Sequence, residues 1–113
     1  MCSRDDAIEI IARLSDKMKM VFPQENLDAI MFGSYARNDY DEGSDIDVMY
    51  LVDSSRDSIA DKNWQIGEAA AEVLLDRGIV ISPVVENRTY YRENADSLPF
   101  FRNVEREGIV VNV

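Results

Sequence analysis

The sequence predicts an α/β protein, one sheet with helices packed on it. Three observations carry that prediction. Short apolar runs at residues 27–32, 45–52 and 78–85 read as strands, and longer stretches of helical spacing precede, separate and follow them. Glycines stand at the joints, Gly33 after the first run and Gly78 before the third. A chain of 113 residues, 46% hydrophobic, is long enough to bury a core and too short for two, so residues 1–113 are read as one domain.

The elements are justified in order. Ala7, Ile8, Ile10, Ile11, Leu14, Met18 and Val21 recur at helical spacing, with Ser3 and Asp6 as a capping pair and Pro23 as the stop. LDAIMF (27–32) is a buried strand, and DIDVMYLV (45–52) is the clearest strand in the chain. Residues 57–77 form a second long helix on Ile59, Ile66, Ala69, Ala70, Val73 and Leu74, capped by Gly78. GIVISPVV (78–85) is a strand in which Pro83 lacks a ladder donor, which places it at an edge or a bulge. NRTYYREN and SLPFFRNVEREG form short helices, the second closing at Gly108, and IVVNV (109–113) adds a last strand. About a dozen residues join the first two strands, which leaves both an antiparallel pair and a tight crossover open.

Composition narrows the chemistry. With 12 basic and 22 acidic residues the net charge is −10, which disfavours long nucleic acids as substrates and attracts divalent cations and basic partners, while also serving solubility. No histidine is present, so His bases, Ser-His-Asp triads and His-ligated zinc are excluded and carboxylates remain. One cysteine, Cys2, permits no internal disulfide. No run reaches membrane-spanning length and the N-terminus lacks a signal-peptide core, so a cytoplasmic protein is expected.

The stretch GSYARNDYDEGSDID (33–47) concentrates the candidate chemistry. Strand alternation puts Asp45, Asp47, Met49 and Leu51 on one side and Ile46, Val48, Tyr50 and Val52 on the other. Two carboxylates spaced this way lie roughly 6–7 Å apart at the backbone, close enough to converge on one hard cation such as Mg²⁺. Gly33 lets a phosphate approach the backbone, and Ser34 is placed to cap a short helix YARN. Arg37 either adds charge to phosphates or pairs with an acid such as Asp41. Taken singly, SDID also reads as a polar turn, Ser34 as a routine cap and Gly-Ser as loop punctuation; the combination is what requires one explanation.

With Gly33, Ser34, Asp45 and Asp47 in the pattern G-S-x10-D-x-D, and GSYAR followed by SDIDV, the chain resembles the minimal nucleotidyltransferases, relatives of the DNA polymerase beta superfamily. The resemblance implies a palm-like mixed sheet flanked by helices, Asp45 and Asp47 as Mg²⁺ ligands, and Ser34 on the phosphates of a nucleoside triphosphate. It further implies AMP transfer from ATP to a hydroxyl of a partner protein, in an antitoxin paired with a HEPN-type toxin. Asn38 stands where the family often has glycine, and it tolerates a left-handed backbone. A third acid is usual on a later strand; the corresponding place here is near Ser82. Glu86 lies four residues on, roughly 13 Å along an extended strand against metal–oxygen distances near ~2 Å, and reads as a strand-end surface acid. Loss of that ligand weakens chemistry more than binding, so the alternative is a nucleotide-binding or toxin-neutralising module.

The remaining features have plainer expectations. Tyr90, Tyr91, Phe100 and Phe101 read as core before base-stacking, and Trp64 as a partly buried helix residue. Asp39, Asp41 and Glu42 read as a solvated loop, and Arg102 and Arg106 as partners of Glu105 or Asp96.

Overall fold

The computed structural model of the protein describes residues 2–113. Helix α1 (Arg4–Val21) starts on the anticipated capping box: Ser3 Oγ accepts from the Asp6 amide at 3.1 Å, and the Asp6 carboxylate accepts from the Ser3 amide at 3.0 Å. After it come β1 (Asp28–Phe32), α2 (Ser34–Arg37), β2 (Ile46–Val52), α3 (Arg56–Asp61), α4 (Asn63–Arg77), β3 (Ile81–Asn87), α5 (Arg88–Asn94), α6 (Pro99–Glu107) and β4 (Ile109–Val111).

The four strands form one mixed sheet in the order β3-β2-β1-β4. β1 runs antiparallel to both β2 and β4, which settles the first connection in favour of an antiparallel pair, while β2 and β3 are parallel. Pro83 sits on the edge strand β3, where a missing donor costs the sheet least.

Because β2 is central, both of its faces need cover, which explains its unbroken apolar run after Asp47. Ile46, Val48, Tyr50 and Val52 pack with Ile11, Leu14 and Met18 of α1 and Ile66, Ala69 and Val73 of α4. Met49 and Leu51 face the other way, against Tyr91 of α5 and Phe101 and Val104 of α6. The alternation read from the sequence therefore holds, with the two long helices, α1 and α4, on one side and α5 and α6 on the other. A polar contact deep in the larger cluster is satisfied: Ser15 Oγ donates to Ile11 O at 2.7 Å and lies 2.9 Å from Tyr50 Oη.

Several local expectations are corrected. The helix expected over 57–77 breaks at Lys62, whose backbone (φ −102°, ψ 8°) leaves the helical region. Tertiary contacts hold it there: Lys62 Nζ donates to Val21 O at 2.7 Å and lies 4.7 Å from the centroid of the Phe22 ring. Trp64, expected partly buried, is 81% exposed, because α4 turns that face away from the sheet. Glu86 is not a surface acid. It is buried, 3.2 Å from Arg56 Nε, and accepts from the Asn87 amide at 2.8 Å. Arg102 and Arg106 make no ion pair among the described residues; Arg106 donates to Asn103 Oδ1 at 2.7 Å. Of the aromatics, Tyr91 and Phe101 are core, Tyr90 lies beneath the Arg56 guanidinium, and exposed Phe100 meets Phe32 edge-on at 5.4 Å.

The α6–β4 junction carries a residue back to the end of β1. A Cβ on Gly108 would overlap Val104 O and come within 2.6 Å of Ile30 Cγ2, so only glycine lets α6 turn so tightly into β4. The pairing of Ile109 with Met31 then sets Glu107, two residues before Ile109, beside the end of β1.

Candidate functional site

The site is built where β1 ends and β2 begins. After Phe32 the chain turns through Gly33 at φ +75°, a conformation glycine adopts freely and other residues resist. A second constraint acts at the same atom. A Cβ there would overlap Asp47 Oδ2 and lie 3.1 Å from Asp47 Cγ, so the turn closes directly over the carboxylate. Glycine and aspartate are thereby matched to each other.

Gly33, not Ser34, is the N-cap of α2: its carbonyl accepts from the Ala36 and Arg37 amides at 3.1 and 3.0 Å. The expected capping role of Ser34 is thus corrected, because Ser34 is already the first helical residue. Its hydroxyl makes no hydrogen bond among the described residues and stays available to a ligand. The other end of α2 is held firmly. Asn38 adopts the left-handed conformation at φ +67°, the Asp39 amide donates to Ser34 O at 3.0 Å, and the Arg4 guanidinium donates to Tyr35 O at 3.0 Å and Ala36 O at 2.6 Å. A cation against the last carbonyls of a helix is favourable, and here it ties α2 to the start of α1.

Asp45 stands exposed one residue before β2, and Asp47 is half-buried inside it. Asp47 pairs in register with Phe32 of β1 and with Ser82 of β3. Burial pushes the Asp47 carboxyl above the usual carboxylate range; the charges of Asp45 and Glu107 push the same way, and Arg37 opposes them. Negative charge is therefore concentrated here at a cost, which a cation would relieve. The donors suit a hard ion: two carboxylates at i and i+2 on one face, beside a hydroxyl. Among the described residues no three His, Cys, Asp or Glu side chains converge to hold a metal. Magnesium suits such a pair, since it takes its remaining ligands from water and substrate phosphates.

Ser82 pairs directly with Asp47, and paired residues of neighbouring strands project to the same side. The position expected for a third acid thus lies beside Asp47, and it carries a hydroxyl. Glu86 pairs with Leu51 at the far end of the same strands and does not enter the site.

Arg37 pairs with Asp39 at 3.1 Å and with Glu107 at 3.2 Å, not with Asp41. Asp41 instead closes its own turn, accepting from the Gly43 amide at 2.9 Å. Glu107 was not anticipated. Its side chain is only 17% exposed and its Oε1 accepts from the Gly33 amide at 3.1 Å, so one carboxylate braces both the glycine turn and Arg37. One signal was present in the sequence: an acid in the last turn of a helix runs against the helix dipole, so Glu107 needed a partner outside α6.

A glycine turn closed over a strand-borne carboxylate pair, on a mixed sheet flanked by helices, is the framework of a nucleotidyl-transferring domain. The chain belongs to that family: the nucleotidyltransferase domain profile matches residues 10–106, and the resemblance to minimal nucleotidyltransferases holds. Two proteins of Methanocaldococcus jannaschii, each named "putative protein adenylyltransferase", are similar to it. One is 38% identical over 82 residues, covering 73% of this chain and 74% of that protein. The other is 33% identical over 106 residues, covering 94% and 99%. Among solved structures, a toxin-antitoxin crystallised with AMP-PNP shares the fold with a TM-score of 0.59 at 22% identity, over 93% of this chain and 72% of that one.

Proposed function

We propose that the protein, acting as one domain in the cytoplasm, transfers AMP from ATP to a hydroxyl of a partner protein in a Mg²⁺-dependent reaction, as the antitoxin of a HEPN-type toxin–antitoxin pair. The observation that supports this reading is the closure of the Gly33 turn over the Asp47 carboxylate, the arrangement expected where a phosphate-binding backbone lies beside a metal-binding acid. Asp45 and Asp47 hold the ion. When bound, it neutralises charge on the phosphates and polarises the phosphorus under attack.

The chain's own residues do the positioning. Gly33 allows the triphosphate to lie against the backbone, and Ser34 offers it a hydroxyl; the Ser34 and Tyr35 amides have no acceptors within α2. Arg37, steadied by Asp39 and Glu107, supplies positive charge at the rim of a protein whose net charge is −10. The acceptor hydroxyl gives up its proton to water as its oxygen forms a bond to the α-phosphorus and the bond to the β-phosphate oxygen breaks, and pyrophosphate leaves. The same net charge disfavours long nucleic acids as the acceptor.

A second reading has its own observation. Ser82 pairs with Asp47 where a third carboxylate would help activate the acceptor, which favours a module that binds Mg-ATP and neutralises its partner while transferring slowly. Incubation with labelled ATP, Mg²⁺ and a HEPN-type protein encoded beside it separates the two. Label on the partner that vanishes with Asp47→Asn supports transfer. A tight complex without label supports the binding module.

A further inference from the structure

The outer face of α4 forms a seam that no other element covers among the described residues. Trp64, Gly67, Ala71 and Leu74 follow the 3-4-3 spacing by which one helix meets another, and Leu75, four residues after Ala71, widens the stripe. All five are exposed, Trp64 at 81% and Leu75 at 87%, whereas the inner face of the same helix buries Ile66, Ala69 and Val73. Gly67 is the second observation. It stands mid-helix, and a Cβ there would meet nothing within 4 Å, so no contact inside the protein requires glycine. A small residue beside an exposed tryptophan leaves a notch, lined by Asn63, Trp64, Gly67, Glu68 and Ala71, in which another backbone can approach closely.

Charge indicates what fits there. On α3 and α4 each base is already engaged: Arg56 with Glu86, Lys62 with Val21 O and the Phe22 ring, Arg77 with Glu9. Of the acids, Glu72 pairs with Lys17, but Asp57, Asp61, Glu68 and Asp76 make no ion pair among the described residues. Of these, Glu68 lines the notch itself, so the apolar seam is edged by an uncompensated carboxylate on a strongly acidic surface. A second copy carries the same acids and the same net charge of −10, which opposes self-pairing. We propose that the Trp64–Leu75 face of α4 is a docking surface for a basic amphipathic helix of another protein, its apolar residues against the seam and its Lys or Arg side chains over Glu68 and the acidic surface around it.

This surface stands apart from the nucleotide reading. α4 packs on the sheet face of Ile46 and Val48, and Asp47 projects to the opposite one. Docking therefore does not require nucleotide, and it survives Asp47→Asn.

Trp64 is the only tryptophan, so its emission reports the seam directly. The probe is a synthetic 21-residue peptide with leucine and alanine at heptad a and d positions and lysine beside them; a matched peptide carries glutamate instead. The expected result is a saturable blue shift with the lysine peptide alone, weakened at least fivefold between 50 and 300 mM salt. The shift should be lost in Ala71→Glu and Leu75→Glu, both exposed positions whose circular dichroism should match the parent. Three results overturn the proposal: no shift at millimolar peptide, an equal shift with the glutamate peptide, or a concentration-dependent shift of the protein alone with dimer by sedimentation, which would assign the seam to a second copy.

Discussion

Replacing Ser82 by aspartate tests the architecture of the site and the reason its chemistry is expected to be slow. Ser82 and Asp47 are register partners, so their Cα atoms lie one strand spacing apart, about 4.8 Å, and their side chains share a face. Without metal, Ser82→Asp sets two carboxylates roughly 5 Å apart. At an effective dielectric of ~20 that repulsion is about 3 kcal/mol, and both positions are half-exposed, so screening reduces it to about 1–2 kcal/mol. For a chain of this length the loss lowers the metal-free Tm by roughly 4–8 °C. Magnesium should reverse the sign. If the third carboxylate completes the ligand set, millimolar Mg²⁺ restores Tm to that of the parent or above, by about 2.7 kcal/mol at a hundred times Kd. Label transfer to the partner should then rise about 10²-fold, the contribution typical of acceptor activation. Differential scanning fluorimetry with and without Mg²⁺, run beside the labelled-ATP assay, reads all three effects. A drop in Tm that magnesium does not recover, with transfer unchanged, would show that Ser82 does not face the ion and would refute the register argument.

Other substitutions separate folding from function. Asp47→Asn should leave the metal-free Tm unchanged or raise it by up to roughly 4 °C, since it removes a charge held at a cost, while abolishing the Tm rise from Mg-ATP. Gly33→Ala meets both a positive φ and the Asp47 carboxylate, and should cost about 2–4 kcal/mol in urea unfolding and eliminate nucleotide binding by calorimetry. Glu25 gives a pH dependence: its burial acts to raise its pKa, but hydrogen bonds from the Ser54 hydroxyl and the Ser54 and Asp53 amides outweigh that and hold it below its ordinary value of 4.5. A depressed carboxylate stabilises fully above the unfolded pKa and loses that contribution as pH falls through the folded one. Glu25→Gln should therefore cost stability at pH 7 and little at pH 3, flattening the acid limb of a Tm–pH profile. Gly67→Ala should raise stability by about 0.5–1 kcal/mol, because the new methyl group meets open space in a helix.

What was readable along the chain was whatever local spacing controls. Alternation in 45–52 correctly divided β2 between its two clusters and the Ser3–Asp6 pair began α1, while the family resemblance pointed to Ser82 as the place of the usual third acid, and Ser82 pairs with Asp47. What was hidden depends on residues far apart in sequence. The break at Lys62 exists because Val21 and Phe22 hold its ammonium, and helical spacing over 57–77 contains no trace of that. Glu86 looked solvent-facing until Arg56, thirty positions earlier, folded over it. Trp64 was expected to be partly buried because apolar character reports preference for burial, not whether a neighbour is there to provide it.

The bond between the Gly33 amide and Glu107 spans 74 positions, and it sets an order of events during synthesis. A nascent polypeptide emerging from the ribosome exposes its glycine bend and both aspartates well before the carboxylate that steadies that bend. Termination between β2 and α6 would leave every motif residue intact and the pocket unsupported, so competence for nucleotide should emerge only once α6 has been made.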